Sequence, residues 1–352
     1  MIKVGNEREI KFDKDLRYKR QTDYNIRDYE TIPFDFVTGH RNVYKNFNFS
    51  IFTDDYCNAD CKFCVAQLRY QNKSLLYQKE HICDPDKYLT RLEAVLKLIR
   101  PLNPSISITG GEPTLCKYLT EIIKLIDKYN FRKRVITTNG SGLFNIQDNS
   151  AIIENLEKYH FDHLNISRVH FDETKNQEIM RYNDLQNYCS LESLKDILNY
   201  TNIHNISHRI SCLLLKEGIN SIGMIQKYVE CLQNIGANNF IFRELMDYDK
   251  TAINTEKMTY CNENKIKLNN IWEDFEKFPE FKPYLNILGY YYYVEIYKYK
   301  GATIAGESAD LNRQVIEKEK NPDIVYEMIF HNNGNLCGSW IDKEDILDPY
   351  IK

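Results

Sequence analysis

Apolar positions in this chain follow two periods in turn. Short apolar runs that suit a strand alternate with stretches whose apolar residues recur at i, i+3 and i+4, which suit a helix. FNFSIFT, from Phe47, is the first strand-like run. Lys87–Arg100 has helical spacing, and SISIT (Ser105–Thr109) is a strand closed by Gly110 and Gly111. Lys117–Tyr129 is helical, and RVITTNG (Arg134–Gly140) is a strand ending at Asn-Gly. Ala151–Lys158 predicts a helix, His163–Ser167 a strand, and Glu173–Tyr182 and Leu191–Tyr200 two more helices. A strand over Ser207–Leu215, a helix over Ile222–Gly236 with a Gly stop, and a sixth strand over Asn238–Met246 complete the series.

Six strands alternating with helices predict parallel βα units and an α/β fold. The pattern leaves open whether the sheet stays open or curls into a partial barrel. In both cases ligands sit at the C-terminal ends of the strands. The unusual residues fall there: three cysteines after strand 1, Gly-Gly-Glu-Pro after strand 2, Thr-Asn-Gly at the end of strand 3, and Ser167–Arg168 ending strand 4.

The flanks read differently. Residues 1–45 are polar and rich in Tyr, Arg and Asp, and are expected to be an irregular arm with a short strand or helix at most. Residues 46–250 hold the alternation. Residues 251–352 read as an extension packed on that core, closing it or shaping its substrate site. This extension has a helix around Glu263–Phe275, a Tyr-rich strand at Tyr291–Lys300, and a hairpin turning at Asn332-Asn333-Gly334. The Tyr-rich strand either stacks on an aromatic substrate or packs the extension onto the core, and Tyr suits half-buried strands.

Composition narrows the class. The 352 residues allow one large domain or two smaller ones, and 43% hydrophobic content supplies a core. A net charge of −4 argues against a dedicated polyanion binder, so nucleic acid is not an expected partner. The N-terminal MIKVGNEREIKFDKD has no apolar run, and no stretch approaches the roughly 18 apolar residues of a membrane span. A cytoplasmic location, with no membrane partner, is the expectation. In that reducing setting the ten cysteines are expected to be thiols or metal ligands.

Cys57, Cys61 and Cys64 stand in a C-x3-C-x2-C spacing within DDYCNADCKFCVAQ. Three thiolates suit zinc, iron–sulfur clusters or Cu(I). A structural zinc site would need a fourth ligand, for which His81 or Cys83 is available, and the chain would then be a zinc-stabilised binding or scaffold protein. A [4Fe–4S] cluster on three cysteines instead leaves one iron open, because a full site takes four protein ligands. Gly110 and Gly111 allow close backbone approach to a ligand, Pro113 fixes the turn, and Glu112 orients it.

The cysteine spacing, with Phe63 before the last Cys, and Gly-Gly-Glu-Pro after the next strand resemble the radical SAM superfamily. The resemblance covers roughly residues 47–246. It implies a partial (β/α)6 TIM-like barrel, a [4Fe–4S] cluster and S-adenosyl-L-methionine. It also implies an electron donor such as flavodoxin or ferredoxin. The implied activity is reductive cleavage of S-adenosylmethionine to a 5′-deoxyadenosyl radical that takes a hydrogen atom from a substrate. By the same resemblance Cys57, Cys61 and Cys64 are metal ligands. Phe63 lies against the adenine, and Gly110, Gly111 and Glu112 hold the methionyl amino end. Asn139 belongs to the cofactor-binding set, Ser167 contacts ribose or carboxylate, Met246 packs on adenine, and Arg181 is a further carboxylate candidate. Read without the resemblance, Met246 is a barrel-rim residue and Arg181 a solvated helix face.

Within that superfamily TDDYCN, ITGGEP, TTNG, RISCLLLKEGIN and IFRELM are most similar to the group around the GTP 3′,8-cyclase of molybdenum-cofactor synthesis. Three departures set the chain apart from that enzyme. Strands 1 and 2 carry serines and no Lys or Arg, so a triphosphate is not the expected substrate. Cys261 and Cys337 stand alone, with no second three-Cys group, and the chain ends DPYIK, not Gly-Gly. A peptide or a small metabolite remains as the substrate class. Arg209, on strand 5, is a candidate contact for an anionic substrate group. Cys337 is read as a buried thiol, against the alternative of a hydrogen-atom donor near the substrate.

Overall fold

The computed structural model describes residues 8–19, 30–68, 80–183, 187–245, 256–289, 291–309 and 311–351. Six parallel core strands, Asn48–Phe52, Ser105–Thr109, Lys133–Thr138, His163–Ser167, Ser207–Leu213 and Asn239–Arg243, lie side by side in chain order. Helices connect them, as the alternating periods predict. The second strand shows the pattern plainly: Ile106 and Ile108 are fully buried under the helices, while Ser105, Ser107 and Thr109 are half-buried on the opposite, concave face.

Local chemistry sets the helix ends. The helix Pro85–Ile99 starts at Asp84, whose carboxylate accepts from the Asp86 and Lys87 amides, with proline at the first helical position. The helix Leu119–Tyr129 ends on Asn130 in the left-handed conformation, at φ 48°. Its Leu119, Ile122, Ile123 and Ile126 are fully buried against the sheet. The helix expected over Glu173–Tyr182 stops at Met180, because Arg181 takes a left-handed φ of 50° and the chain turns to pair elsewhere.

The flanking segments continue the same sheet at both edges. Ala302–Ala309 adds a seventh parallel strand beside Asn239–Arg243, followed outward by antiparallel Tyr292–Tyr299, Lys282–Leu288 and Arg8–Lys11. At the other edge Met328–Phe330 runs parallel to Asn48–Phe52, followed by Leu336–Cys337 and Ile346–Asp348. The result is a sheet of 13 strands with the core in the middle. Residues 31–44 form a hairpin, Thr31–Phe36 with Gly39–Tyr44, that pairs with Ile324–Val325, so the N-terminal segment is more regular than its polar sequence predicts. The expected turn at Asn332–Gly334 joins Met328–Phe330 to Leu336–Cys337, with Gly334 at φ 87°. The expected single helix around Glu263–Phe275 is two, Glu256–Asn264 and Leu268–Phe275. The break falls where Lys265 bridges to Leu215 at the end of the fifth strand.

The Tyr-rich strand packs the extension. Tyr293, Tyr297 and Tyr299 are buried, Tyr297 stacks on Phe275 and Tyr299 on Phe281. Among them lies an ion pair taken wholly out of water. Arg17 donates to both oxygens of Glu295, at 2.6 and 2.8 Å, and Tyr293 and Tyr297 donate to the same carboxylate. Glu295 is 0% and Arg17 1% exposed. Removing one charge strands the other in a low-dielectric interior, at a cost of about 3–5 kcal/mol. Arg17→Ala is therefore expected to lower the urea midpoint by that equivalent. A double variant with Glu295 also made apolar is expected to recover much of the loss. Equal midpoints for Arg17→Ala and wild type would remove the pair from the stability account.

Candidate active site at the C-terminal rim

The cysteine loop leaves the first core strand through Thr53, whose amide and hydroxyl both donate to the Thr109 carbonyl at the end of the second strand. From there two backbones run in contact. Gly111 N–H donates to Asp54 O at 2.6 Å, and Glu112 N–H donates to Tyr56 O at 2.8 Å. The glycines serve this contact. A Cβ on Gly110 would sit 2.7 Å from the Asp54 carbonyl oxygen, and one on Gly111 would run into the Tyr56 carbonyl. The close approach at these two glycines, expected toward a ligand, is made to the backbone of the cysteine loop, and it brings the two motifs onto one rim.

Glu112 ties this turn to the third strand. Its carboxylate is 3% exposed. One oxygen accepts from the Thr114 amide at 3.0 Å and from the Thr114 and Thr138 hydroxyls. The other accepts from the Asn139 amide at 2.6 Å. Burial pushes its pKa up against the pull of these donors. Asn139, 6% exposed, donates from its side chain to Asn58 Oδ1 at 2.8 Å, inside the cysteine loop. Asn58 in turn donates to the Asn187 carbonyl.

The far side of the loop is clamped by residues 179–183. Asp60 N–H donates to Arg181 O, Lys62 N–H to Ile179 O and Asn183 N–H to Asn58 O, around an antiparallel bridge of Ala59 with Tyr182. That pairing is what the early stop of the preceding helix permits. From the extension, Lys257 donates to Asp60 Oδ1 and to the Cys61 carbonyl. Lys62 pairs with Glu217 at 3.0 Å and lies over the Tyr260 ring.

Cys57, Cys61 and Cys64 are free, half-buried thiols at the centre of this clamp. They act on one another electrostatically, and Cys61 Sγ lies 3.7 Å from Met180 Sδ. Burial pushes the Cys57 thiol up to about 11 and raises Cys61 as well. A bound metal reverses that balance, since ligation takes the thiolate. Among the described residues, no three His, Cys, Asp or Glu side chains are grouped to hold a single metal ion. His81 and Cys83, which a zinc site would recruit, have other partners. His81 Nδ1 meets the Asn332 amide and its Nε2 faces Asp55, and exposed Cys83 lies against the His81 carbonyl. Three soft donors in one short loop, held on both sides by backbone bonds, fit an iron–sulfur cluster.

The remaining expected residues divide. Phe63 is half-buried and, like Cys61 and Ala59, packs against the apolar cluster that includes Met180 and Tyr182. Ser167 is half-buried at the end of the fourth strand, paired in register with Ser211. Arg181 brings its backbone to the cysteine loop, but its guanidinium pairs with Glu256 at 3.0 Å at the surface. Met246 lies outside the described residues. Cys337 is fully buried in its hairpin, with Sγ against the Asp342 carbonyl. The sequence reading missed Asn58 and Lys257, which orient the loop, although the Asn next to the first Cys is visible. It also missed Glu307, which arrives on the seventh strand and takes the Arg243 guanidinium at 2.8 Å, with Arg243 also on Ser211.

Residues 51–214, which carry this rim, match the model of the Radical SAM superfamily. The cofactors of that family are a [4Fe–4S] cluster and S-adenosylmethionine. A curated relative, an S-adenosylmethionine-dependent nucleotide dehydratase from Flammeovirga pacifica, is 34% identical over 119 residues, 33% of this chain and 38% of the relative. A GTP 3′,8-cyclase from Marinobacter nauticus is 28% identical over 135 residues, 37% of this chain and 36% of the relative. The matched region thus spans well under half of these relatives. The crystal structure of Streptococcus suis SuiB bound to S-adenosylmethionine superposes with a TM-score of 0.53 at 17% identity, covering 84% of this chain and 60% of SuiB. The chain is thus similar over about a third of its length to members of the GTP cyclase group, and the fold it shares with SuiB is an α/β fold with parallel strands in one large sheet. Among the described residues no helix is long and apolar enough to cross a membrane.

Proposed function

We propose that this chain cleaves S-adenosylmethionine reductively and uses the resulting 5′-deoxyadenosyl radical to take a hydrogen atom from a small metabolite. The observation that carries this is the backbone pairing of the cysteine loop with the Gly110–Glu112 turn, which puts the cluster-type thiols beside the turn that the family uses for the cofactor. When bound, the cluster supplies the electron and the cofactor supplies the radical. The protein's part is binding, orientation and exclusion of water. Cys57, Cys61 and Cys64 hold the cluster. Gly110, Gly111 and Glu112 shape the methionyl site, with Asn139 fixing the loop behind it, and Phe63 and Ser167 take the adenosine end. Arg181 acts through its backbone carbonyl, which holds Asp60 in place. The electron comes from a flavodoxin or ferredoxin.

A small molecule is favoured over a peptide added as a strand. Both edges of the parallel core are already paired, with Ala302–Ala309 on one side and Met328–Phe330 on the other, so neither core edge offers its backbone to an incoming strand. The names of the two relatives, a nucleotide dehydratase and a GTP cyclase, also describe enzymes of small molecules. The test is anaerobic reconstitution. About four iron and four sulfide per chain are expected, with dithionite-dependent formation of 5′-deoxyadenosine and methionine. A colourless protein with stoichiometric zinc and no such cleavage would falsify the proposal.

A further inference from the structure

The helix Glu256–Asn264 of the C-terminal extension lies against the cysteine loop. Its Met258 and Cys261 side chains are buried in the apolar cluster with Met180 and Tyr182, against which Cys61 packs. Its polar groups grip the loop from outside. Tyr260 donates to Glu217, the acid that also takes Lys62 of the loop. Glu256 takes Arg181, whose carbonyl holds Asp60. The Lys257 ammonium donates to the Cys61 carbonyl at 2.6 Å and to Asp60 Oδ1. These three cations differ in what offsets their charge. The Arg181 side chain is 40% exposed, and Lys62 is matched by an acid almost as sheltered as itself, 20% against 27% exposed. Lys257 is 13% exposed while its Asp60 partner is 46% exposed, so water screens the acid more than the ammonium. The charge left over acts on the thiols. Lys257 favours negative charge at both Cys57 and Cys61, against the repulsion of Glu112 on Cys57.

We propose that Lys257 sets the reduction potential of the cluster held by Cys57, Cys61 and Cys64, easing its one-electron reduction by the donor protein. The inference rests on the reading above, that these three thiolates hold a [4Fe–4S] cluster. Reduction by one electron, taken from the flavodoxin or ferredoxin, adds one negative charge to the cluster and its thiolates, with no bond made or broken in the loop. A fixed positive charge stabilises that state more than the oxidised one, so it makes the potential less negative. One unit charge acting on another across about 10 Å, at an effective dielectric of about 20, shifts a one-electron equilibrium roughly tenfold. Where cleavage draws on the reduced cluster, that factor reaches the rate. Lys257 belongs to the extension and not to the alternating strand–helix core, so the extension adjusts the electron affinity of a site that the core builds.

The test is a potentiometric titration of the reconstituted full chain, followed by electron paramagnetic resonance, without S-adenosylmethionine. Two neutral variants are used, Lys257→Gln with a donor kept for the Cys61 carbonyl and Lys257→Met without one. Both are expected to lower the reduced-to-oxidised ratio at a fixed potential roughly tenfold, which is a potential more negative by about 59 mV. Lys257→Arg keeps the charge and is expected to stay near wild type. Asp60→Asn removes the offsetting acid but leaves an amide oxygen for Lys257, so its potential is expected to become less negative. The sign separates charge from structure. A loop that merely loosens admits water, which favours the more highly charged reduced form and moves the neutral variants to less negative potentials instead. If Lys257→Met fails to hold its cluster, Lys257→Gln gives the reading. An unchanged or less negative potential in the neutral variants, Lys257→Arg as negative as they are, or an unchanged Asp60→Asn would each overturn the inference. The two proposals fail separately. A wild type that cleaves S-adenosylmethionine while all the potentials coincide loses only the role of Lys257. A wild type whose cluster titrates as described but forms no 5′-deoxyadenosine loses only the radical reading.

Discussion

Cys61→Ser is expected to leave a folded, nearly iron-free protein that forms no detectable 5′-deoxyadenosine, a fall of at least about a thousandfold, or roughly 4 kcal/mol of lost barrier reduction. The reasoning is chemical. Iron–sulfur cores are held by thiolates, and a hydroxyl is a harder donor that stays protonated at neutral pH. The fold should survive, because the loop is held by backbone bonds that do not involve the thiol: Asp60 N–H to Arg181 O, Lys62 N–H to Ile179 O, and Lys257 on the Cys61 carbonyl. What the substitution disturbs locally is one sulfur contact to Met180. The matched control is Cys231→Ser, an exposed thiol on the helix Ile222–Gln233, for which iron content and cleavage are expected to equal wild type. Iron and sulfide measured on both proteins decide the matter. Full cluster occupancy in Cys61→Ser would take that residue out of the ligand set.

Much of this site is legible in the amino-acid sequence, and the reason is physical. In a parallel βα sheet every strand carries its functional residues out at the same rim, so motifs far apart in sequence meet if each follows a strand. DDYCNADCKFC and Gly-Gly-Glu-Pro each follow a strand, and the two do meet. The strands themselves are legible because burial alternates or runs continuously along them, as in SISIT and HLNIS. The rest depends on partners that sequence order does not supply. Glu112 reads in Gly-Gly-Glu-Pro as the residue that orients the turn, but its partners Thr138 and Asn139 come from the next strand and cannot be read from the motif. Arg181 reads as the last turn of a helix, and only its left-handed backbone shows that the chain has turned toward the cysteines. The C-terminal residues divide between the two edges of the sheet, and strands as short as Met328–Phe330 have too few positions to show a period.

Gly111→Ala probes that assembly without touching a ligand. The residue has no special backbone angle that would favour glycine, so the effect is steric alone. Its new methyl would meet only backbone: the Tyr56 carbonyl inside van der Waals contact, and the Asp55 carbonyl oxygen at 2.7 Å. No side chain can rotate away to relieve this. Either the turn or the cysteine loop must move, and the bonds from Gly111 to Asp54 and from Glu112 to Tyr56 go with it. Each such bond contributes about 1 kcal/mol, so a modest loss of stability is expected. The functional loss should be far larger, because these bonds set the position of the thiols relative to the cofactor turn, and a displacement of about 1 Å can cost on the order of a hundredfold in rate. Gly223→Ala, at a helical position with open space around the new methyl, is the control and should match wild type or exceed it slightly in stability. Thermal melting, iron content and the rate of 5′-deoxyadenosine formation on the two variants separate the outcomes. A Gly111→Ala protein that loads iron and cleaves S-adenosylmethionine at the wild-type rate would show that the loop and the turn need not touch, and the contact that carries the functional proposal would lose its weight.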